Sequence, residues 1–464
     1  EHDPMYKIDF QSPIHVHFIG IGGISMSGLA AILLDRGFRV SGSDRAESEL
    51  TGWLTRSGAK VFFGQRASNI EDGTDLVVYT AAIHPDNPEY AAAAARGIPM
   101  LTRAELLGQL MTNYRMPIAV AGTHGKTTTT SMASHILLSA DTDPTISVGG
   151  ILPVISGNIR VGADRVFLTE ACEYTNSFLD FFPKISLILN IDADHLDFFK
   201  DLDDIRHSFR LFAEKLPADG TLIINQAIPD VEEITKDLPC SIVYYGMESL
   251  PHTGYYADHV AYDNACGTFD LMKGDACLGR FALKVPGVHN VDNAVAALAM
   301  ADILGIDMET AKKGLESFGG TDRRFQFKGE IGGVTVIDDY AHHPTEIAAT
   351  LRAAKNREHN TIWCVFQPHT YSRTKALMDD FAKALSLADK VVLADIYAAR
   401  ETDTLGISSR TLLQKLKDLG SDAYYFPSFD EIETFLLEKC VHGDLLITMG
   451  AGDIVKVGEK LLGQ

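Results

Sequence analysis

Ile118–Thr130 reads IAVAGTHGKTTTT. Ile118 to Ala121 form a short apolar run of the kind buried in a parallel sheet. Gly122 and Gly125 then let the backbone turn tightly, and the segment from Thr127 to Leu138 predicts a helix. Strand, glycine turn and helix in that order make a phosphate cradle. Backbone N–H groups of the turn point inward and the helix N-terminus adds partial positive charge, while Lys126 can reach terminal phosphates and Thr127 can hold Mg²⁺ through its hydroxyl. The spacing departs from GxxxxGK[ST], because Val120 stands where the first glycine is expected.

The surrounding chain has 464 residues, which predicts about three domains of roughly 150 residues each. With 46% hydrophobic and 22% charged residues the composition is that of a soluble globular protein. A formal charge of −21, from 41 basic and 62 acidic residues, disfavours nucleic acid or an anionic membrane surface as a partner. Six cysteines are scattered without a CxxC pair, so reduced thiols in the cytoplasm are expected. No apolar run reaches the length of a membrane span, and no membrane insertion is expected.

Upstream of the loop, HVHFIG (His15 to Gly20) predicts a strand, GIGGISMSG a glycine turn, and a helix runs from there to about Arg36. FRVSGSD and AKVFFG predict two more strands with a helix between them. Alternating strands and helices imply a parallel sheet that binds ligands at the carboxyl ends of its strands. The dinucleotide pattern GxGxxG is partly met: Gly20 and Gly22 fit, Ser25 replaces the third glycine, and Gly23 is extra. Asp44 ends the second strand, where a carboxylate can accept from a ribose. NAD is the default ligand, and another diphosphate would use the same physics. DLVVYTAAI adds a strand ending at Thr80, whose small side chain suits close ligand approach. Arg103 could face a phosphate, although a surface arginine is the commoner outcome, and NYRMP (Asn113 to Pro117) reads as a linker.

Downstream, VFLTEACEY ends in Glu170 and Glu173, and ISLILNIDADHLDFF closes on Asn190, Asp192, Asp194 and His195. Carboxylates and an imidazole at strand ends beside a phosphate cradle offer the hard ligands Mg²⁺ needs. Residues 240–283 read as short strands forming a small antiparallel patch. In VPGVHNVDNA, His289, Asn290 and Asn293 open a helix, where they can cap it or read a nucleobase edge. Beyond a glycine hinge, Arg323 and Arg324 suit phosphate ligands or interdomain salt bridges. Two further strands end in DDYAHHPTE and FQPHTYSRT, bringing Asp339, His342, His343, His369 and Arg373 to strand termini. The fold class is therefore α/β in three domains. A Rossmann-like N-terminal domain (1–116) precedes a central P-loop-type ATPase domain carrying the antiparallel patch (117–320), and a Rossmann-like C-terminal domain (321–464) follows.

HFIGIGGISMSGLA, AGTHGKTTTT, VPGVHNVDNA, DDYAHHPTE and FQPHTYSRT occur in one order along the chain, and together they resemble the Mur ligase family over essentially its whole length. The GTxGKT form of the phosphate loop is that family's own. The resemblance implies an ATP- and Mg²⁺-dependent cytoplasmic ligase of peptidoglycan synthesis, monomeric or homodimeric, with a UDP-sugar rather than NAD in the first domain. Its substrates would be UDP-N-acetylmuramate, phosphorylated by ATP on its lactyl carboxylate, and L-alanine, whose amine attacks the acyl phosphate. Gly122, Thr123, His124, Gly125, Lys126, Thr127 and Thr128 would cradle ATP, with Lys126 neutralising the transferring phosphoryl group. Thr127, Glu170 and His195 would surround Mg²⁺. His289, Asn290 and Asn293 would hold the adenine, and Arg324 and Asp339 would meet ATP across the cleft. His342, His369 and Arg373 would lie near the amino acid and the acyl phosphate. Gly20, Gly22, Gly23 and Ser25 would wrap the uridine diphosphate, with Asp44, Thr80 and Glu173 also on the substrate side. EACEY departs from the EADES wording of this branch, leaving the division of labour between Glu170 and Glu173 open. A related ligase that joins a whole peptide to the same sugar, a nucleotide-dependent oxidoreductase and a non-catalytic nucleotide-binding regulator are the rival readings.

Overall fold

Three sheets follow one another along the chain in the computed structural model, which describes residues 6–155, 157–249, 254–319, 325–399, 401–403 and 405–464. The first contains β1 (His15–Ile19), β2 (Arg39–Asp44), β3 (Lys60–Phe63), β4 (Leu76–Tyr79) and β5 (Met100–Thr102), all parallel in the order β3-β2-β1-β4-β5. Every residue of β1 is buried, as its central position requires. The order reverses at β1, so the crevice for a ligand opens between the ends of β1 and β4. Gly20–Ser25 and Thr80 follow those two strands.

The second sheet has ten strands. They are β6 (Met116–Ala121), β7 (Thr145–Leu152), β8 (Gly157–Arg160), β9 (Val166–Ala171), β10 (Ile185–Ile188), β11 (Thr221–Asn225), β12 (Ser241–Gly246), β13 (Tyr255–Asp263), β14 (Cys266–Lys273) and β15 (Ala276–Pro286). Their order is β15-β14-β13-β12-β11-β10-β6-β9-β7-β8. β6 lies parallel between β10 and β9, so the segments leaving all three converge at one end of the sheet. The expected small antiparallel patch is corrected here. Ser241–Gly246 pairs parallel with β11, and β13 to β15 form a long antiparallel meander that prolongs the same sheet. The third sheet holds β16 (Gln326–Ile331), β17 (Val334–Asp339), β18 (Ile362–Phe366), β19 (Lys390–Leu393), β20 (Asp422–Tyr425) and β21 (Leu445–Met449), in the order β16-β17-β21-β18-β19-β20. All its pairs are parallel except the antiparallel edge strand β16.

The cores divide unevenly. One continuous apolar cluster runs from Ile8 through Phe18, Leu107, Phe167 and Phe209 to Cys240, so the first two domains share an interior. The clusters that enclose the third sheet contain C-terminal residues only. No described helix is long and apolar enough to cross a membrane, and the six cysteines are unbridged.

Candidate active site

The helix Lys126–Ser139 starts where Gly125 adopts a left-handed φ of +81°, and a Cβ there would stand 2.8 Å from Asn293 Oδ1. Glycine is required at that position on both counts. Side chains from the end of β10 brace the loop: Asn190 Oδ1 accepts from His124 N at 2.8 Å, and Asn190 Nδ2 donates to His124 O at 3.0 Å. Lys126 Nζ donates to Gly122 O at 2.7 Å and pairs with Glu173 at 3.2 Å. Burial works against its charge, but Glu173 and the neighbouring groups outweigh it and hold the ammonium protonated well above the ordinary lysine range.

Glu173, not Glu170, is the carboxylate against the lysine. It is buried, and its Oε1 lies 3.5 Å from His195 Nε2 with no hydrogen bond of its own. Glu170 turns toward β7 and accepts from Gly149 N at 2.9 Å. β9 ends at Ala171, between the two carboxylates, and the chain turns just beyond Glu173 at Thr175 and Asn176, both with left-handed φ (55° and 58°). Among the described residues, the one group of three potential metal ligands with donor atoms within 4.8 Å of one another is His124, Asp192 and His343. The imidazoles of that group are committed to protein contacts.

Two cavities open beside the loop. The first, about 310 Å³, reaches from His124, Gly125 and Thr128 past His289, Asn290 and Asn293 to Asp339, Thr345 and Glu346 of the C-terminal domain. Asn290 Nδ2 donates to Pro286 O at 2.7 Å and Asn293 Nδ2 to Asn290 Oδ1 at 3.2 Å, so both amides are braced as well as exposed to the cavity. Asp339 accepts from Phe325 N at 2.9 Å and Ala341 N at 2.7 Å. Arg324 lies outside the described residues. The second cavity, about 230 Å³, is lined by Tyr174, Asp194, His195, His369, Arg373 and Glu401 among others. Arg373 Nε donates to Asp194 Oδ1 at 2.9 Å, and its Nη1 lies 3.2 Å from His369 Nδ1. Asp194 is buried, which disfavours its charge, yet Arg373 and the surrounding histidines keep it well below the usual carboxylate range. His342 faces His369 with ring centroids 6.1 Å apart, and burial pushes it down to about 4, so it is neutral at pH 7.

A third cavity, about 640 Å³, lies at the end of the first sheet and is lined by Gly20, Gly23, Ser25, Thr80 and Arg103 together with Thr175 of the central domain. Gly22 is held from behind: Asp44 Oδ2 accepts its N–H at 2.7 Å, so Asp44 clamps the glycine turn without lining the cavity itself. Arg103 is not an idle surface arginine. Its Nη1 donates to Ser25 Oγ at 2.9 Å on the cavity wall.

Sequence reasoning missed Glu401, which accepts from Tyr371 N at 2.6 Å and Ser372 N at 3.1 Å and so aligns the helix that carries Arg373. No local pattern announces that pairing. It also left Thr345 and Glu346 without a role, although the spacing from His343 to Glu346 is that of a capping box, and the structure forms one.

Comparison with known proteins places this arrangement. The model described as Mur ligase family, catalytic domain, matches residues 15–115; the Mur ligase middle domain matches 120–301; and the Mur ligase, glutamate ligase domain, matches 323–452. The chain is 62% identical to the UDP-N-acetylmuramate–L-alanine ligase of Agathobacter rectalis over 99% of its own length and 100% of that protein. It is 61% identical to the ligase of the same name from Lachnospira eligens, again over 99% and 100%. Among solved structures, the UDP-N-acetylmuramate-alanine ligase of Thermotoga maritima superposes with a TM-score of 0.76 at 32% identity, covering 97% of this chain and 98% of that one.

Proposed function

The chain belongs to the Mur ligase family, and from that premise we infer that it joins L-alanine to UDP-N-acetylmuramate in an ATP-dependent step of peptidoglycan precursor synthesis. The observation that carries this reading is the likeness to ligases of that activity over 99% of this chain and 100% of theirs.

The chemistry we propose begins from the inertness of a carboxylate toward an amine. The lactyl carboxylate oxygen takes the γ-phosphoryl group of ATP, the bond to the β-bridging oxygen breaks, and ADP leaves. The amine of L-alanine then attacks the acyl phosphate, a tetrahedral intermediate forms, and phosphate departs as the amine loses its proton. Lys126, now folded onto Gly122 O and Glu173, would turn to the terminal phosphates and offset the charge shared among their oxygens. Thr127, Glu170 and His195 are the proposed Mg²⁺ ligands, and Glu173 joins them as a candidate, because its Oε1 is a buried carboxylate oxygen with no hydrogen bond, 3.5 Å from His195 Nε2, and suits a hard cation. Bound there, Mg²⁺ would draw charge from the phosphate oxygens. His289, Asn290 and Asn293 would hold the adenine, with Asp339 on the opposite wall of that cavity and Arg324 as a further proposed contact to ATP. Arg373 would steady the acyl phosphate, and neutral His342 and His369 would contribute hydrogen bonds rather than charge near the amino acid. Gly20, Gly22, Gly23, Ser25, Asp44 and Thr80 would receive the UDP-sugar, and Arg103 joins them as a cation for its diphosphate. The cytoplasm is the proposed location, in keeping with six unpaired cysteines and with ATP as substrate.

The test is substrate dependence. With ATP and Mg²⁺ the protein should release phosphate only when UDP-N-acetylmuramate and L-alanine are both present, and the product mass should equal the sugar nucleotide plus one alanine residue. Phosphate release at the same rate without the amino acid, or a preference for a tripeptide over L-alanine, would overturn the assignment.

A further inference from the structure

His124 is the side chain of the phosphate loop that bridges to a carboxylate in each of two domains. Its Nε2 hydrogen-bonds Asp192 Oδ2 of the central domain at 3.3 Å, and its Nδ1 stands 3.4 Å from Glu346 Oε2 of the C-terminal domain. The same Asp192 oxygen accepts from Thr345 Oγ1 at 2.7 Å, so one carboxylate joins the loop to the N-terminal turn of the helix Pro344–Lys355. Glu346 divides its two oxygens. Oε1 receives the N–H groups of His342 and His343 at 3.4 and 3.3 Å and caps the helix, while Oε2 is left for His124. His343 accepts at Nδ1 from Thr345 N and donates from Nε2 to Ala193 O at 2.5 Å, its ring 4.3 Å from that of His124.

The loop backbone is held within its own domain by Asn190 and by Thr123, whose hydroxyl accepts from Asp192 N at 2.9 Å. Its imidazole is held from both sides, by Asp192 of its own domain and by Glu346 of the C-terminal domain. We propose that His124 is a positioning residue through which docking of the C-terminal domain sets the phosphate loop for ATP, with Asp192, Thr345 and Glu346 as its fixed partners. A helix cap and an ion pair on one carboxylate make the link directional: the helix cannot leave without taking the acceptor of His124 with it. Burial disfavours charge on this imidazole, but the two carboxylates prevail and raise it to about 9, so it enters the pair as a cation at neutral pH.

The inference rests on the proposed ATP-dependent reaction, and its test reads nucleotide binding directly so that the two can fail separately. Glu346→Gln keeps an oxygen for the helix cap and removes the anionic partner of His124. His124→Asn removes the bridge from the other side. Each should weaken ATP binding, measured by displacement of a fluorescent ATP analogue from the full chain, by about tenfold, the size of one charge-assisted hydrogen bond. The Michaelis constants for UDP-N-acetylmuramate and L-alanine should stay within about twofold, and the double variant should bind ATP no worse than the weaker single one. Small-angle scattering should show ATP compacting the wild type more than either variant. Unchanged ATP affinity in both single variants, or losses that simply add in the double, would overturn the proposal. Thr345→Val, which spares both charges, should show an intermediate loss and guards against a folding defect in either of the others.

Discussion

The two interdomain junctions of this chain are built from opposite materials. Between the N-terminal and central domains the contact is an extension of the core: Tyr114, packed edge-on against Phe10 of its own domain at 5.6 Å, meets Phe167 across the junction at 4.9 Å, and Gly108 lies so close to the backbone of Asp180 that a Cβ would stand 1.9 Å from its carbonyl oxygen. Between the central and C-terminal domains the contact is polar and ionic, through His124–Glu346, Thr345–Asp192, His343–Ala193 and Arg373–Asp194. Apolar burial is non-directional and forgiving of small shifts, whereas ion pairs hold at one geometry and exchange readily with water. The lesson is that the sugar-nucleotide lobe is welded to the ATPase domain and the C-terminal lobe is latched to it. A ligase that must admit three substrates and then exclude water needs one releasable wall, and the polar junction is the one that borders both reaction cavities.

That contrast fails if chemistry and cohesion cannot be separated at the latch. Lys126→Ala is the strongest probe. Turnover should fall by about 10³-fold or more, a loss of about 4 kcal/mol in transition-state stabilisation, while the first two domains still melt in one cooperative step, at a lower temperature because Glu173 loses its ammonium partner and is left a buried anion. Steady-state phosphate release and a thermal melt decide it together. Next in size, Arg373→Ala leaves Asp194 as a buried anion at the latch, which should cost about 3 kcal/mol of docking. Scattering should then show a swollen molecule whose first two domains still melt as one unit. Gly108→Ala is the matching blow to the weld. Its new methyl meets a backbone carbonyl that cannot rotate away, so global stability in a urea titration should drop by about 2–3 kcal/mol with the ATP Michaelis constant unmoved in the folded fraction. If Gly108→Ala swelled the molecule and Arg373→Ala lowered the melt of the N-terminal unit, the assignment of weld and latch would be reversed.

Much of the first sheet and the phosphate loop was legible in the sequence because both depend on local or periodic patterns, whereas the weld was not: NYRMP reads as a linker, but Tyr114 is buried against Phe167 in the shared core. IAVAGTHGKTTTT announces strand, turn and helix through residues in immediate succession, and the buried run HVHFI announces a central strand. The latch was legible only as fragments. DDYAHHPTE marked a strand end with titratable groups, but Arg373 and Asp194 are separated by 179 positions and nothing local records that they meet. The choice between Glu170 and Glu173 was equally hidden: both stand near the end of β9, and only the fold shows that Glu170, still within the strand, is taken by Gly149 N while Glu173, beyond its end, meets Lys126. The supposed small antiparallel patch failed for a different reason. Polar, turn-rich strands resemble a separate meander until parallel pairing of β12 with β11 shows that the meander continues the main sheet.

The smallest expected effect is also the one that tells the junctions apart without a mutation. His124 rests at about 9 against an ordinary 6.5; burial alone would lower it, and the hydrogen-bonded carboxylates of Asp192 and Glu346 raise it. A folded value above the unfolded one means that docking gains from the proton below pH 6.5 and loses that gain as pH climbs through 9. Asp192 is shifted the other way, to about 2, where burial is outweighed by its bonds to His124 and Thr345, so its contribution holds from about pH 4 upward and disappears only as pH falls through 2. The latch should therefore be firmest between about pH 4 and 6.5 and loosen progressively toward pH 10. The aromatic weld has no such dependence over the neutral range. Scattering profiles between pH 6 and 10 should show the C-terminal lobe moving outward as the base side is approached, and His124→Asn should abolish the trend by giving the loosened profile at every pH. A wild-type profile that stayed constant to pH 10 would mean that the imidazole does not carry the charge at the latch, and the junction would have to be held by Arg373 and Asp194 alone.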